Sequence, residues 1–156
     1  MTSGMKPILA MEVQPRARQS NYPAHFVDRV AGRQKRALGD AFGLTRYGVN
    51  LTVLPPGVQS ALLLRHTDQE EFIYILEGRP TLRTDEDEYE LAPGMCVGFR
   101  PDEAAHHLIN RSSEDVRYLE VGDRSDADRG EYPEDDLVAE RVSGAWQLLH
   151  RDGNPW

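Results

Sequence analysis

The stretch LLLRHTDQEEFIYILEG, residues 62–78, decides how the fold of this chain is interpreted. A histidine (His66), a polar turn and a glutamate (Glu71) precede an apolar run that ends at Gly78. FIYILEG has the β-branched and aromatic composition of a buried strand that ends in a turn. Leu64 stands two residues before His66, and alternate side chains of a strand share a face. The stretch therefore predicts two strands, with Leu64 and His66 pointing the same way.

Short strands punctuated by turns are predicted on both sides of this stretch. GLTRYGVNLTVL precedes it and ends at a Pro-Pro-Gly turn, while TLRTDEDEYEL, AHHLINR and VRYLEVGD follow it. Spacings of roughly 8 to 12 residues between such strands are typical of an all-β sandwich or barrel. The acidic segment at residues 122–137 is predicted to be a solvated loop.

The chain divides into an arm and one domain. Residues 1–33 are predicted to form an N-terminal arm, and residues 34–156 a single β-barrel domain with its motifs at 47–121. Residues 24–43 leave two alternatives open, because FVDRVA suggests a short helix whereas RALGDAFGLTRY suggests two strands around a turn.

Composition and charge limit the classes of function. The apolar fraction is 39% and the charged fraction 28%, which is ordinary for a globular domain of 156 residues. A net charge of -8 argues against a nucleic-acid partner and against an anionic membrane surface. We therefore expect a small-molecule ligand or substrate as the partner of the chain.

The single cysteine bears on the cellular compartment. One cysteine, Cys96, excludes a disulfide within the chain and predicts a reducing, cytoplasmic location. Cys96 lies in the apolar run MCVGF and is predicted to be a core residue. The N-terminal stretch MTSGMKPILAMEVQPRARQ has no long apolar segment, so neither a signal peptide nor a transmembrane helix is expected.

Two spaced motifs make residues 47–121 resemble a small single-domain cupin. In the first motif, His66 is followed after four residues by Glu71, and Glu71 after six by Gly78. In the second, His106 is followed after three residues by Asn110. The sequence departs from the first motif at Leu64, where the family has a histidine.

The second motif also departs from the family pattern. Pro101 follows Gly94 one residue later than the pattern asks, and Glu103 stands where a glycine is expected. The resemblance implies the double-stranded β-helix of cupins, an all-β jelly-roll barrel, here with a short N-terminal arm and room for one short helix.

The resemblance also implies a metal site. Cupins hold a divalent metal with three histidines and a glutamate, and here His66, Glu71 and His106 match three of these ligands. Two imidazoles and a carboxylate suit Zn, Mn, Ni or Fe. Taken singly, each of the three side chains is better explained as a surface or hydrogen-bonded residue.

Two hypotheses for function follow. In the first, the chain is a metal-dependent enzyme, isomerase-like or dioxygenase-like, in which Leu64, Asn110 and Arg100 contact a small substrate. In the second, Leu64 marks a site that has lost its metal, and the chain is a non-catalytic small-molecule-binding or sensing cupin. Some cupins that this sequence resembles are labelled sugar-phosphate isomerase-like.

A homodimer is the expected assembly. Small cupins that this chain resembles commonly pair their sheet edges, and an unpaired sheet edge needs cover. The arm at residues 1–33 is a candidate to supply that cover in the partner subunit.

Overall fold

The computed structural model describes residues 6–17 and 20–156, and in these ranges twelve strands form three antiparallel sheets. The strands are β1 (Gln34–Ala37), β2 (Tyr47–Leu54), β3 (Arg65–His66), β4 (Glu71–Glu77), β5 (Thr81–Thr84), β6 (Glu88–Glu90), β7 (Cys96–Phe99), β8 (His106–Ile109), β9 (Val116–Asp123), β10 (Arg129–Glu131), β11 (Val138–Val142) and β12 (Ala145–Leu149). One short helix, α1 (Ala24–Val27), and 3-10 turns at Ala10–Glu12, Asp28–Val30 and Asp40–Phe42 accompany them.

The sheets form the walls of a jelly-roll barrel. The largest has the order β1-β2-β9-β4-β7, and the smaller ones have the orders β12-β11-β10-β3 and β6-β5-β8. A single bridge between Leu64 and His106 joins the two smaller sheets next to β3 and β8. The predicted all-β jelly-roll barrel is confirmed.

Alternation along the strands places the core. On β4, Ile73 and Ile75 are buried, whereas Phe72 and Tyr74 on the other face are exposed. The inward side chains of several strands pack into one apolar cluster: Leu54, Ile73, Ile75, Leu82, Leu91, Leu108, Val116 and Tyr118. A second cluster, near the arm, comprises Phe26, Leu62, Tyr132, Leu137 and Ala139.

Gly78 ends β4 with a backbone conformation and a close approach that both favour glycine. Its φ is 82°, in the left-handed region that glycine favours. A Cβ atom at this position would lie 2.6 Å from the carbonyl oxygen of Asp115 and 2.9 Å from Cα of Val116. This glycine, part of the first motif, thus lets the turn after β4 pack against the start of β9.

Three sequence expectations need correction or completion. The segment 122–137 is not only a solvated loop, because β10 lies within it and pairs with both β3 and β11. Cys96 is exposed rather than buried, since it pairs with Tyr74 and shares its outward face. Residues 24–43 combine the two alternatives, a short helix (α1) followed by a strand (β1).

The predicted arm lies against its own chain where the structure describes it. The Arg16 amide donates a hydrogen bond to the Lys35 carbonyl of β1, and Phe26 of α1 belongs to the second apolar cluster. The rest of the predicted arm, residues 1–5 and 18–19, lies outside the described residues. Within the part of the chain that the structure describes, no helix is long and apolar enough to cross a membrane.

Candidate functional site

Three side chains that the sequence singled out meet at one point. His66 ends β3, Glu71 begins β4 and His106 begins β8. The Glu71 carboxylate accepts a 2.8 Å hydrogen bond from His106 Nε2 and lies 3.3 Å from His66 Nε2. All three side chains are less than one-fifth exposed. We call this group the His–Glu–His cluster.

A fourth residue, Asp128, orients one of the histidines. Its Oδ2 atom accepts a 2.6 Å hydrogen bond from His66 Nδ1. Its Oδ1 atom accepts hydrogen bonds from the backbone amides of Asp68 and Gln69, both at 3.0 Å. The Asp128 side chain is 1% exposed, so the imidazole is held by a carboxylate that is itself fixed.

These contacts set the charges of the cluster. Burial disfavours a charged His66, but hydrogen bonds to Asp128 and then Glu71 outweigh it and raise the His66 pKa to about 10. Burial likewise opposes ionisation of Glu71, yet hydrogen bonds from His106 and His66 hold its pKa well below the usual range. At neutral pH the cluster therefore contains an ionised carboxylate and a protonated imidazole.

The other histidine is positioned by stacking. The rings of His106 and Phe99 lie parallel, with centroids 3.4 Å apart. His106 Nδ1 is buried and has no hydrogen-bond partner in the described ranges. Both histidines thus contact Glu71. A hydrogen bond to Asp128 holds the ring of His66, whereas stacking on Phe99 holds the ring of His106.

Leu64 occupies the position at which the family has a histidine as its fourth metal ligand. It is half-buried, lies beside His106 through a backbone bridge, and packs against the second apolar cluster. A leucine side chain carries no donor for a metal. The predicted apolar wall at this position is therefore what the structure contains.

The cluster lies on the wall of a cavity of about 360 Å³. Its lining includes Leu64 and three tyrosines, Tyr22, Tyr118 and Tyr132. Five cationic side chains and three carboxylates also line it: Arg16, Arg33, Lys35, Arg124 and Arg141, with Glu71, Glu120 and Asp123. Although the chain is acidic overall, this cavity carries an excess of positive side chains, which favours an anionic ligand.

Two predicted substrate contacts, Asn110 and Arg100, do not line this cavity. Asn110 is fully buried, and its amide donates hydrogen bonds to the carbonyls of Leu54 and Glu114. Arg100 is 82% exposed, pairs with Glu103 at 2.5 Å, and lines a small neighbouring cleft with His66, Glu71 and His106. The substrate-binding roles of Asn110 and Arg100 stay predictions.

Sequence reasoning missed Asp128 and the tyrosines of the cavity. Asp128 is one of several acidic residues in a segment predicted to be solvent-exposed, and it meets a histidine 62 positions away. No local pattern marks such a contact. The only sequence sign was a polar segment long enough to fold back over β3.

The donor chemistry of the cluster fits a divalent metal. Both histidines turn Nε2 toward Glu71, and a carboxylate on Nδ1 of His66 is the usual way to orient a metal-binding imidazole. In the described ranges, however, no group of three or more His, Cys, Asp or Glu side chains is arranged to hold a metal ion. Metal binding by His66, Glu71 and His106 therefore stays a prediction.

Comparisons with known proteins agree with the fold. The family described as "Cupin domain" matches residues 50–122. The crystal structure of a cupin-superfamily sugar phosphate isomerase from Silicibacter pomeroyi is 32% identical, covers 96% of this chain and 96% of that chain, and has a TM-score of 0.88. A protein from Acidithiobacillus ferrooxidans, provisionally a sugar phosphate isomerase, is 37% identical over 77% of each chain, with a TM-score of 0.73.

A more distant structure shows the fold alone. The polyketide cyclase RemF from Streptomyces resistomycificus is 20% identical and covers 76% of this chain and 79% of its own, with a TM-score of 0.62. The comparison with curated proteins found no match. On the family match and the similarity across 96% of its length, the chain belongs to the cupin superfamily.

Proposed function

We propose that this chain is an enzyme that transfers protons on a small anionic, oxygen-rich substrate of the sugar phosphate class. The observation that carries the proposal is the His–Glu–His cluster on the wall of a cavity with an excess of cationic side chains. The similar protein from Silicibacter pomeroyi is described as a sugar phosphate isomerase, which supports the same class of substrate.

The cationic side of the cavity would hold the phosphate. Lys35 and Glu120 form an ion pair at 3.2 Å, each side chain 21% exposed, so the Lys35 ammonium is fixed in the cavity. Arg33 lines the same cavity and donates a hydrogen bond to the Ser60 carbonyl. Guanidinium and ammonium groups of this kind bind phosphate oxygens through charge-assisted hydrogen bonds.

The cluster would carry out the proton transfers. Isomerisation of a sugar phosphate moves a proton from one carbon to its neighbour, which requires a proton acceptor and a donor on one side of the substrate. Glu71 is ionised and His66 is protonated, so the two side chains supply both roles within 3.3 Å of each other.

In a second state, in which His66 has released its extra ring proton, His66, Glu71 and His106 would hold a divalent metal, which is Zn, Mn, Ni or Fe by donor type. When bound, such a metal supplies Lewis-acid polarisation of a carbonyl oxygen or, in the case of iron, chemistry with oxygen. Asp128 keeps Nε2 of His66 directed at the site in either state, since it binds the other ring nitrogen.

Proton exchange tests this proposal. The protein would be incubated in D2O with a panel of aldose and ketose phosphates, and deuterium entry beside the carbonyl would be followed by NMR. We expect exchange with at least one member of the panel, and its loss in Glu71→Gln. Glu70→Gln is the matched control, because Glu70 is the exposed neighbour. Absence of exchange across the panel, with and without added metal, would contradict the proposal.

A non-catalytic binding cupin is the second candidate. Leu64 supports it, because an apolar side chain packed against the second apolar cluster replaces a metal donor. This candidate predicts saturable binding of a sugar phosphate with neither deuterium exchange nor bound metal. The same NMR samples distinguish the two functions.

We also propose a homodimer that uses the outer face of the five-stranded sheet. Phe72 and Tyr74 are 43% and 40% exposed there, opposite Val121 and Leu119 on β9. Exposed apolar rows of this kind often mark protein interfaces. Light scattering coupled to size exclusion would give twice the chain mass, and Tyr74→Glu would reduce it; a monomer mass for the unaltered chain would overturn this proposal.

A reducing, cytoplasmic location remains our prediction from the single cysteine.

A further inference from the structure

Two tyrosines, the buried Tyr132 and the half-buried Tyr22, line the same cavity as the cluster, on the flank where a metal-binding histidine is replaced. Gly130 of β10 pairs with His66 of β3, so the two residues face the same way. The Tyr132 ring folds back over Gly130: a Cβ atom at Gly130 would lie 3.4 Å from Tyr132 Cε2 and 3.6 Å from its hydroxyl oxygen. The hydroxyl of Tyr132 is therefore directed to the side of the sheet that carries the His66 imidazole.

Tyr22 joins Tyr132 to form what we call the phenol pair. The two rings meet edge to face with centroids 5.7 Å apart. Both residues line the cavity that contains the His–Glu–His cluster.

Each phenol carries one O–H donor. Both side chains line the cavity, so these two hydroxyl groups are the candidates to donate a hydrogen bond to an oxygen of a bound substrate.

The surroundings keep the phenol pair protonated. Burial raises the pKa of Tyr22 and of Tyr132, and the negative charge of Glu71 adds to the rise in both. A neutral phenol is a hydrogen-bond donor throughout the physiological pH range.

Leu64 links the phenol pair to the cluster. It packs against the apolar cluster to which Tyr132 belongs, and it bridges to His106 through the backbone. A histidine at this position would put a polar ring among the aromatic side chains. The leucine thus provides an apolar wall that fixes the phenol rings next to the cluster.

We propose that the phenol pair, Tyr22 and Tyr132, donates a hydrogen bond to the substrate oxygen at which negative charge develops. The donor lies on the side of the site where the family has a histidine and this chain has Leu64. This inference rests on the proposed function. As the carbon-bound proton leaves to the cluster, charge builds on the adjacent oxygen, and a preorganised donor in a water-poor site stabilises it. The phenol retains its proton and makes no covalent bond.

Removal of single hydroxyl groups tests the inference. Tyr132→Phe and Tyr22→Phe each keep the ring and lose the hydroxyl donor. Tyr89→Phe is the control because Tyr89 is 51% exposed on β6. Two properties would be measured: deuterium exchange on the sugar phosphate panel, and the affinity for phosphoglycolohydroxamate, which mimics an enediolate. Affinity for inorganic phosphate would report on the intact cavity, and thermal unfolding on the fold.

We expect either Phe variant to bind the hydroxamate about ten- to hundredfold more weakly, the range for a hydrogen bond to a charged group. Exchange should fall similarly, while inorganic phosphate binds as before and Tyr89→Phe is unchanged. If the unaltered protein exchanges deuterium and binds the hydroxamate but both variants match it, this inference is overturned and the proposed function stands. If the unaltered protein does neither, the proposed function fails and the inference fails with it. Two Phe variants are used because, if one of them fails to fold, the other still tests the inference.

Discussion

His66 Nδ1 lies 2.6 Å from Oδ2 of Asp128, a residue 62 positions further along the chain. The contact exists because β10 pairs with β3 and brings the acidic segment back over the strand that carries the histidine. It leaves Nε2 of His66 as the atom that faces Glu71 and the cavity. The orientation of the cluster thus depends on a residue outside both sequence motifs.

Asp128→Asn should disturb this arrangement without removing the side chain. The amide oxygen can still accept from the backbone at Asp68 and Gln69, but an amide NH2 then faces His66 in place of a carboxylate oxygen. We expect the His66 pKa to fall and the free energy of unfolding to drop by about 1–3 kcal/mol. NMR titration and urea unfolding would measure both. Asp126→Asn, whose side chain is 89% exposed, serves as the control, and equal effects of the two variants would contradict the account.

The pH dependence of the metal-free protein follows from His66. Its pKa is raised in the folded protein to about 10, whereas an unfolded histidine titrates near about 6.5. The folded state therefore binds more protons between these values, so stability from this group is complete below about pH 6.5 and is lost as the pH rises toward 10. Urea unfolding at a series of pH values should show this decline, and His66→Gln should lack it. A His66 resonance that titrates near its ordinary pKa would disprove the assignment.

Gly78→Ala should cost more stability than Gly57→Ala. Both glycines have φ near 80°, at 82° and 81° respectively, so both substitutions carry similar conformational strain. Only at Gly78 would the added Cβ meet backbone atoms, the nearest at 2.6 Å, whereas at Gly57 the nearest atoms are beyond 4 Å. We expect Gly57→Ala to cost about 1 kcal/mol and Gly78→Ala clearly more. Chemical unfolding of the two variants measures the difference, and equal costs would show that the turn yields to the methyl group.

Leu64→His should tighten metal binding. The side chain lines the cavity with His66 and the backbone bridges to His106, so an imidazole there adds a fourth donor to the cluster. We expect an affinity increase of about tenfold or more, which corresponds to about 1.4 kcal/mol, together with some loss of stability as the second apolar cluster accepts a polar ring. Competition with a chelator of known affinity measures the first effect and thermal unfolding the second. Leu63→His is an unsuitable control because Leu63 is 1% exposed, so Leu64→Met is used instead. Unchanged affinity would mean that Leu64 does not stand at a ligand position.

The sequence predicted those features that depend on local pattern. Strand alternation and turn residues predicted the barrel, and motif spacing brought His66, Glu71 and His106 together, as the structure shows. The same spacing did not predict the contacts of Asn110, whose side-chain amide donates to two backbone carbonyls under the turn before β9. A motif states which residues recur, and it does not state whether an amide faces a cavity or a turn.

Asp128 and the phenol pair depend on contacts between distant segments. Tyr22 comes from the predicted arm and Tyr132 from the predicted loop, and each reaches the cavity only after β10 and α1 have packed. Neither segment shows the alternation that identifies an inward face. These parts of the site required the tertiary structure.

The most direct test of the central claim is elemental analysis of the protein purified without a metal-affinity tag, beside His106→Ala. We expect one divalent metal ion per chain, lost in the variant, and the identity of the metal would then define the class of reaction. A protein that binds none of Mn, Fe, Ni or Zn after incubation with each would contradict a metal-dependent enzyme at the His–Glu–His cluster.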